Sequence, residues 1–380
     1  MSKTGIYVHI PFCKKKCDYC DFVSFPYGEE MQRKYVNALL SEIEYKSKND
    51  GASKEISTIY FGGGTPSFIN HEEIIRILDK IKSLYKIAPG CEITIEVNPG
   101  TVSREKLRAY KLAGINRLSI GLQSTSDRLL KLIGRIHTYD EFLKTYDEAI
   151  KASFTNINVD LMLALPTQTM DELMTSVNEV IKLNPNHISL YSLIVEEGTP
   201  LSKKVENGEY ELLPEDMERK MYWKTKELLE KNGYNHYEIS NFSKPGYESK
   251  HNSDCWNQEE YIGFGLAAHS YIGGVRKSNI ENLEEYIKNI ENKDFDKNVT
   301  IHENQDRESM AKEYMMLGLR KLNGVSISAF ERKFGINPLF YFRFEIEKLV
   351  NEEIIEVDLD SIKLTKKGLD IANQAFEEFV

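Results

Sequence analysis

Cysteine is scarce in this chain. Five occur in 380 residues: Cys13, Cys17, Cys20, Cys91 and Cys255. So sparse and odd a set excludes a disulfide scaffold and fits a reducing compartment. Long apolar runs are missing as well, so no stretch approaches the roughly 20 residues of a membrane-spanning helix. Positive charge is not in excess, and the formal net charge is −10. That balance argues against broad nucleic-acid binding. No low-complexity segment interrupts the chain. Met1-Ser2-Lys3-Thr4 leads directly into a predicted strand, which leaves no room for a signal or transit peptide. These absences predict a cytoplasmic protein with no nucleic-acid partner and no membrane-integral region. The length suits one large α/β domain plus a smaller one.

Three of the five cysteines are crowded into one short segment, Cys13-Lys-Lys-Lys-Cys17-Asp-Tyr-Cys20. The spacing is C-x3-C-x2-C, and no fourth cysteine follows nearby. Zinc sites and ordinary iron–sulfur sites take four protein ligands. Three thiolates on one loop point instead to a [4Fe-4S] cluster whose fourth iron is open to a small molecule. The alternative is three incidental or structural cysteines. Tyr7-Val8-His9-Ile10-Pro11-Phe12 reads as an apolar strand ending at a proline, which delivers the loop to the end of a sheet. Lys14-Lys15-Lys16 is either a solvated loop face or a patch that attracts an acidic electron donor.

From the loop onward one unit recurs: a β-branched or apolar run, a Gly- or Pro-containing loop, then an amphipathic helix. The predicted strands are Gly5–Ile10, Ile56–Phe61, Glu92–Val97, Arg117–Gly121, Asn156–Leu163 and His187–Ile194. Asn70-x-x-Glu73, Thr138-x-x-Glu141 and Thr169-x-x-Glu172 fit helix starts of the capping-box kind. Strands alternating with helices imply a parallel sheet with right-handed crossovers. Six units are too few for a closed eightfold barrel, so the fold expected is a partial (β/α)6 barrel, open on one side. Glu215–Lys231 reads as a further helix, and Asn279–Lys297 as a helix followed by a linker. The last eighty or so residues read as a small α+β, winged-helix-like domain. Its elements are a helix at Glu308–Lys321 with Met310, Tyr314 and Leu317 on one face, helices at Ser326–Phe334 and Pro338–Asn351, and a hairpin at 354–364. The segment is not strongly basic, which discounts DNA binding. The boundaries expected are 1–290 for the barrel with its extension and 300–380 for the smaller domain.

Unusual residues sit where strands end, the position at which barrels carry chemistry. Phe61-Gly62-Gly63-Gly64-Thr65-Pro66 is either a plain tight turn or a loop that brings backbone against a ligand. Glu96 ends the third strand; it is either solvated and ligand-binding or paired with a nearby cation. Gln123 ends the fourth strand, with Arg135 shortly after, and Asp160 lies in the fifth. Gln can donate and accept, Arg can clamp a carboxylate, and an aspartate in an apolar strand needs partners.

The cysteine spacing resembles that of the radical S-adenosylmethionine superfamily. The resemblance implies an open iron that chelates the amino and carboxylate groups of S-adenosylmethionine. It also implies a 5′-deoxyadenosyl radical released by cluster reduction. The motifs Y-V-H-I-P-F-C-x3-C-x-Y-C, F-G-G-G-T-P, E-V-N-P, G-L-Q-S and G-R-x-H together resemble the oxygen-independent coproporphyrinogen III oxidase family across nearly the whole chain. By that resemblance Tyr7, Tyr19, Gly63, Gly64, Thr65, Glu96, Gln123, Arg135 and Asp160 contact S-adenosylmethionine. True oxidases carry an extra cysteine two residues after the last cluster ligand and a longer leading segment. Here Phe22 occupies that place and twelve residues precede Cys13. Both departures resemble the heme-chaperone branch of the family, which implies heme as cargo and a heme-acceptor protein as partner. An acidic donor such as flavodoxin or ferredoxin would supply electrons. That branch carries an H-N-x-x-Y-W element, and His251-Asn252-Ser253-Asp254-Cys255-Trp256 matches it except that Cys255 replaces the tyrosine. His251 is therefore the candidate heme contact, and Cys255 a second candidate ligand. The resemblance leaves two alternatives open. One is the decarboxylating oxidase itself, and the other is a radical enzyme acting on an unrelated substrate.

Overall fold

The computed structural model describes residues 3–49 and 54–380. Met1 and Ser2, part of the predicted lead into the first strand, lie outside them. Six parallel strands follow one another across the sheet in chain order: β1 (Thr4–Ile10), β2 (Glu55–Gly63), β3 (Lys86–Val97), β4 (Arg117–Gln123), β5 (Ile157–Leu163) and β6 (His187–Ser192). Helices connect them: α1 (Glu29–Asn49), α2 (His71–Leu84), α3 (Arg104–Ala113), the pair α4 (Asp127–Leu132) and α5 (Tyr139–Lys151), and α6 (Met170–Leu183). The αβ repeat is therefore the one the sequence predicts. Its strands are buried on both faces, and along them apolar residues alternate with buried polar ones such as Thr94, Ser119, Asn158 and Ser189.

The sheet extends beyond the six predicted strands at both edges. After β6 come α7 (Pro200–Glu206), α8 (Glu215–Lys231) and the short strands β7 (Asn235–Glu238) and β8 (Asn241–Ser243), with β8 antiparallel to β6. At the other edge α9 (Lys250–Trp256) leads into β9 (Glu260–Phe264), which pairs parallel with β1. β10 (His269–Ile272), β11 (Val275–Asn279), α10 (Leu283–Glu291) and β12 (Val299–Asn304) follow, so the predicted linker after α10 ends in an edge strand. Twelve strands form the sheet among the described residues.

Thr138 and Thr169 make complete capping boxes with Glu141 and Glu172. Asn70 caps differently from the expectation. Its side chain accepts from Glu72 N, while Glu73 pairs with Arg76 at 2.6 Å. No described helix is long and apolar enough to cross a membrane.

A second core lies in the last seventy residues or so, built on α11 (Arg307–Gly318), β13 (Val325–Ser326), α12 (Ile327–Phe334), α13 (Pro338–Tyr341), α14 (Arg343–Asn351), β14 (Ile355–Val357), β15 (Ser361–Leu364), α15 (Lys366–Asp370) and α16 (Ala372–Glu377). Two expectations are corrected here. The buried face of α11 is Ala311, Tyr314, Met315 and Gly318, so of the predicted stripe only Tyr314 is buried. The single helix expected over Pro338–Asn351 breaks at Phe342, whose ring turns in against Phe330 and Phe379.

Candidate functional site

The cysteine loop leaves β1 at Pro11 and is closed at its base. Cys13 N donates to Phe25 O at 3.1 Å, and Phe25 N donates to Pro11 O at 2.9 Å. His9 ties the returning segment to β1. Its Nε2 donates to Val23 O at 2.9 Å, which leaves Nδ1 to accept from the Tyr7 hydroxyl at 3.1 Å. Burial holds this imidazole down at about 4, so it stays neutral in that role. The Tyr35 hydroxyl fixes the His9 carbonyl from α1 at 2.6 Å.

All three cysteines of the loop are free thiols. Cys13 Sγ lies 3.4 Å from Thr65 Oγ1, and Arg135 Nη1 donates to Cys17 Sγ at 3.6 Å. Burial pushes the Cys13 thiol up, and Cys20 up to about 11. No three His, Cys, Asp or Glu groups among the described residues converge as ligands of one ion. A four-iron cluster asks for a different arrangement, one thiolate for each of three irons.

The three thiols open into one cavity of about 440 Å3 at the carboxyl ends of the strands. Side chains from β2 through β6 all reach it, which they do only if the sheet curls into a partial barrel. Of the predicted site residues, Tyr19, Gly63, Gly64, Thr65, Glu96, Gln123, Arg135 and Asp160 line it together with Cys13, Cys17 and Cys20. Tyr7 stands behind the wall, bonded to His9 and stacked on Tyr60 at 6.3 Å. Tyr60, Asn98, Ser119, Met162 and Tyr191 also line the cavity. Sequence reasoning assigned them no role, although Asn98, Ser119 and Met162 are two or four residues from Glu96, Gln123 and Asp160. The period of two that puts alternate strand residues on one face is the signal that finds them.

The walls hold buried polar atoms with no partner in the protein, among them Gln123 Oε1 and Arg135 Nε. Orphaned atoms of this kind are costly unless a ligand satisfies them. Gln123 also adopts φ 71°, an uncommon backbone for a side-chain-bearing residue and a form of strain found at ligand sites. Arg135 spends much of its fork on the chain itself, with Nη2 donating to Asn98 Oδ1 at 2.9 Å and to the Gly121 carbonyl. Asp160 Oδ1 accepts from Asn158 Nδ2 at 2.7 Å. A ligand bearing ammonium, carboxylate and hydroxyl groups fits these walls, and S-adenosylmethionine carries all three.

Glu96 accepts from the Tyr60 hydroxyl at 2.9 Å. Burial pushes its carboxyl up to about 8, with the Asp160 charge adding to the effect. Between its usual 4.5 and about 8, the folded chain therefore keeps a proton that the unfolded chain releases. The contribution of Glu96 to stability therefore falls as the pH rises through that window. Buried histidines held below their ordinary value, His9 and His251 among them, pull the other way below about pH 6.5. Glu96 is therefore read from the difference between two proteins: Glu96→Gln is expected to gain several degrees on the parent as the pH rises from about 6.5 to 8.5. Thermal melts of both proteins across pH check this, and an unchanged difference between them contradicts it.

The glycines where β2 ends serve the chain before any ligand. A Cβ on Gly64 would meet Ile10 O, Phe12 N and Phe12 O at 2.9 Å. One on Gly63, at φ +107°, would strike the His9 ring at 2.5 Å. The run lets β2 close against the root of the cysteine loop and hands Thr65 to Cys13.

His251 lies apart from the cavity. It sits in the first turn of α9, capped by Ser249, and its backbone N donates to Glu92 Oε1 at 3.1 Å. Nδ1 is 2.9 Å from Thr58 Oγ1, and the ring stacks on Tyr60 at 5.1 Å. The residue is 7% exposed, and burial holds its pKa down at about 4. Tyr60 thus stands between His251 and Glu96. Burial pushes the Cys255 thiol up to about 12. His269 is exposed and stacks on His302 at 5.5 Å.

Comparison with known proteins agrees with this geometry. The profile of the radical SAM superfamily matches residues 7–180, and that of the HemN C-terminal domain matches residues 305–371. The chain is 36% identical to a protein named heme chaperone HemW from Lactococcus lactis, over 98% of this chain and 96% of that one. It is 38% identical to heme chaperone HemW from Bacillus subtilis, over 98% of each. Coproporphyrinogen III oxidase (HemN) from Escherichia coli superposes with a TM-score of 0.84, covering 100% of this chain and 90% of that one at 22% identity, which shows the shared fold. With cysteine loop, partial barrel and C-terminal domain all in place, the chain belongs to the HemW family, a HemN-like branch of the radical S-adenosylmethionine superfamily.

Proposed function

We propose that this chain is a heme chaperone. It holds a [4Fe-4S] cluster on Cys13, Cys17 and Cys20, binds S-adenosylmethionine on the cavity walls, and carries heme to an acceptor protein. The observation that carries this reading is the single cavity in which three free thiols face Glu96, Gln123, Arg135 and Asp160. The full-length likeness to proteins named heme chaperones supports the cargo, as does Phe22 where the oxidase has a further cysteine.

When bound, the cluster supplies an electron and an open coordination position. The chain's own residues hold and orient. Thr65 and Arg135 hydrogen-bond the sulfurs of Cys13 and Cys17 and so fix where those sulfurs sit. Gln123 Oε1 is free to accept from an ammonium or hydroxyl, and Arg135 Nε to donate to a carboxylate. Asp160, steadied by Asn158, offers its carboxylate to ribose hydroxyls. The protein works in the cytoplasm, and an acidic donor of the flavodoxin or ferredoxin kind approaches past Lys14-Lys15-Lys16.

The test is a pair of anaerobic incubations of the reconstituted protein with a low-potential reductant and S-adenosylmethionine. Given coproporphyrinogen III, it is expected to form no vinyl-bearing porphyrin and no carbon dioxide. Given hemin, it is expected to retain heme through gel filtration and return it chemically unchanged. Turnover of coproporphyrinogen III overturns the reading.

A further inference from the structure

The mouth of the cavity differs in character from its floor. Phe22, Tyr191 and Ile194 all border it and are 60%, 40% and 66% exposed. They come from two separate segments, the one just after Cys20 and the one that runs from the end of β6 onward, so their meeting at one rim is a product of the fold. Large apolar side chains left in water around a cavity mark a binding surface. Lys15 and Lys16 border the same mouth and are exposed. Asp21 and Glu196 stand there too, so any carboxylate is placed by individual lysines and not by a broad positive field.

We propose that this rim is where the cargo sits. The face of a flat, apolar tetrapyrrole lies on Phe22, Tyr191 and Ile194, with its carboxylates at Lys15 and Lys16. The proposal rests on the chaperone reading for the identity of the cargo and adds its place. Two other locations are weaker. His251 is sealed against Thr58 and Tyr60, so an iron reaches it only if α9 moves. Phe340 and Phe344 are exposed on the second core, but neither lines the cavity of about 420 Å3 there, whose walls carry Asp306 and Glu308 beside Arg307. At the rim, recognition is of the macrocycle and its carboxylates, so the iron is not required for binding.

The experiment titrates hemin into the anaerobically reconstituted full-length protein and follows the Soret band. Metal-free protoporphyrin IX serves as competitor, and cluster absorbance is recorded throughout. The double variant Phe22→Ser/Ile194→Ser is expected to weaken hemin binding at least tenfold with the cluster retained. Phe344→Ser is expected to bind as the parent does, and protoporphyrin IX is expected to displace hemin. Should the double variant lose its cluster, Ile194→Ser alone decides, because it is remote in sequence from the cysteines. Parent-like binding by the rim variants overturns the proposal, as does loss of binding in His251→Ala or Phe344→Ser while the rim variants bind normally. Failure of protoporphyrin IX to compete overturns it as well. If the parent protein binds no hemin, the chaperone reading falls with it; if it binds and the rim variants bind equally, only the site falls.

Discussion

Cys17→Ser is expected to take the reconstituted protein from about four irons per chain to almost none, with loss of the broad visible absorbance of an iron–sulfur cluster. The thiol is half-buried on a loop at the cavity, and its recorded side-chain partner is Arg135. It adds little to either hydrophobic core. The ligand-free variant should therefore melt close to the parent, which separates loss of a ligand from loss of the fold. Cys91→Ser is the control. Cys91 is buried on β3, away from the cavity, and that variant should keep its iron. Unchanged iron and spectrum in Cys17→Ser would refute the cluster assignment.

The largest effect on stability is expected from Glu42→Ala. Glu42 and Lys46 form an ion pair at 2.7 Å, buried between α1 and the extension of the sheet. The carboxylate also accepts from Gly265 N at 2.8 Å, the Tyr286 hydroxyl at 2.6 Å and Asn279 Nδ2 at 2.6 Å. Lys46 donates to Gly263 O at 3.0 Å and Asn279 Oδ1 at 3.2 Å. Removing the acid leaves an uncompensated buried ammonium and unsatisfied donors, a loss of roughly 3–5 kcal/mol. Glu42→Met/Lys46→Met removes both charges and is expected to recover much of that loss. Denaturant midpoints of the parent, single and double variants measure it. A single variant within about 1 kcal/mol of the parent would contradict the burial argument. The effect reaches the site, because Tyr35 on the same helix holds both the His9 carbonyl and Leu266 N.

That network also shows where sequence reasoning stops. Glu42 and Lys46 are four residues apart on a helix, a spacing that reads as an ordinary exposed pair. Their partners lie more than two hundred residues away, and only the folded chain brings them together. The same holds for His251, whose family motif marks it as a heme contact while Thr58 and Tyr60 enclose it. The short edge strands β7 to β11 escaped notice because three to five residues, many of them polar, give no period to count. What was legible had a strong physical signature. The six parallel strands are short stretches rich in isoleucine, valine and leucine set between helix starts, and Thr138 and Thr169 carry their capping partners three residues on. Glu96, Gln123 and Asp160 stood out because a polar group in an apolar strand needs a reason. Tyr60, Ser119 and Tyr191 did not stand out, since tyrosine and serine are unremarkable in strands until the barrel turns them toward one cavity.

The most direct test of the account is a hemin titration of the full-length, cluster-loaded protein with S-adenosylmethionine present. A saturable Soret change that ends near one heme per chain is expected. A linear, unsaturating rise, of the kind hemin gives with any apolar surface, would contradict it.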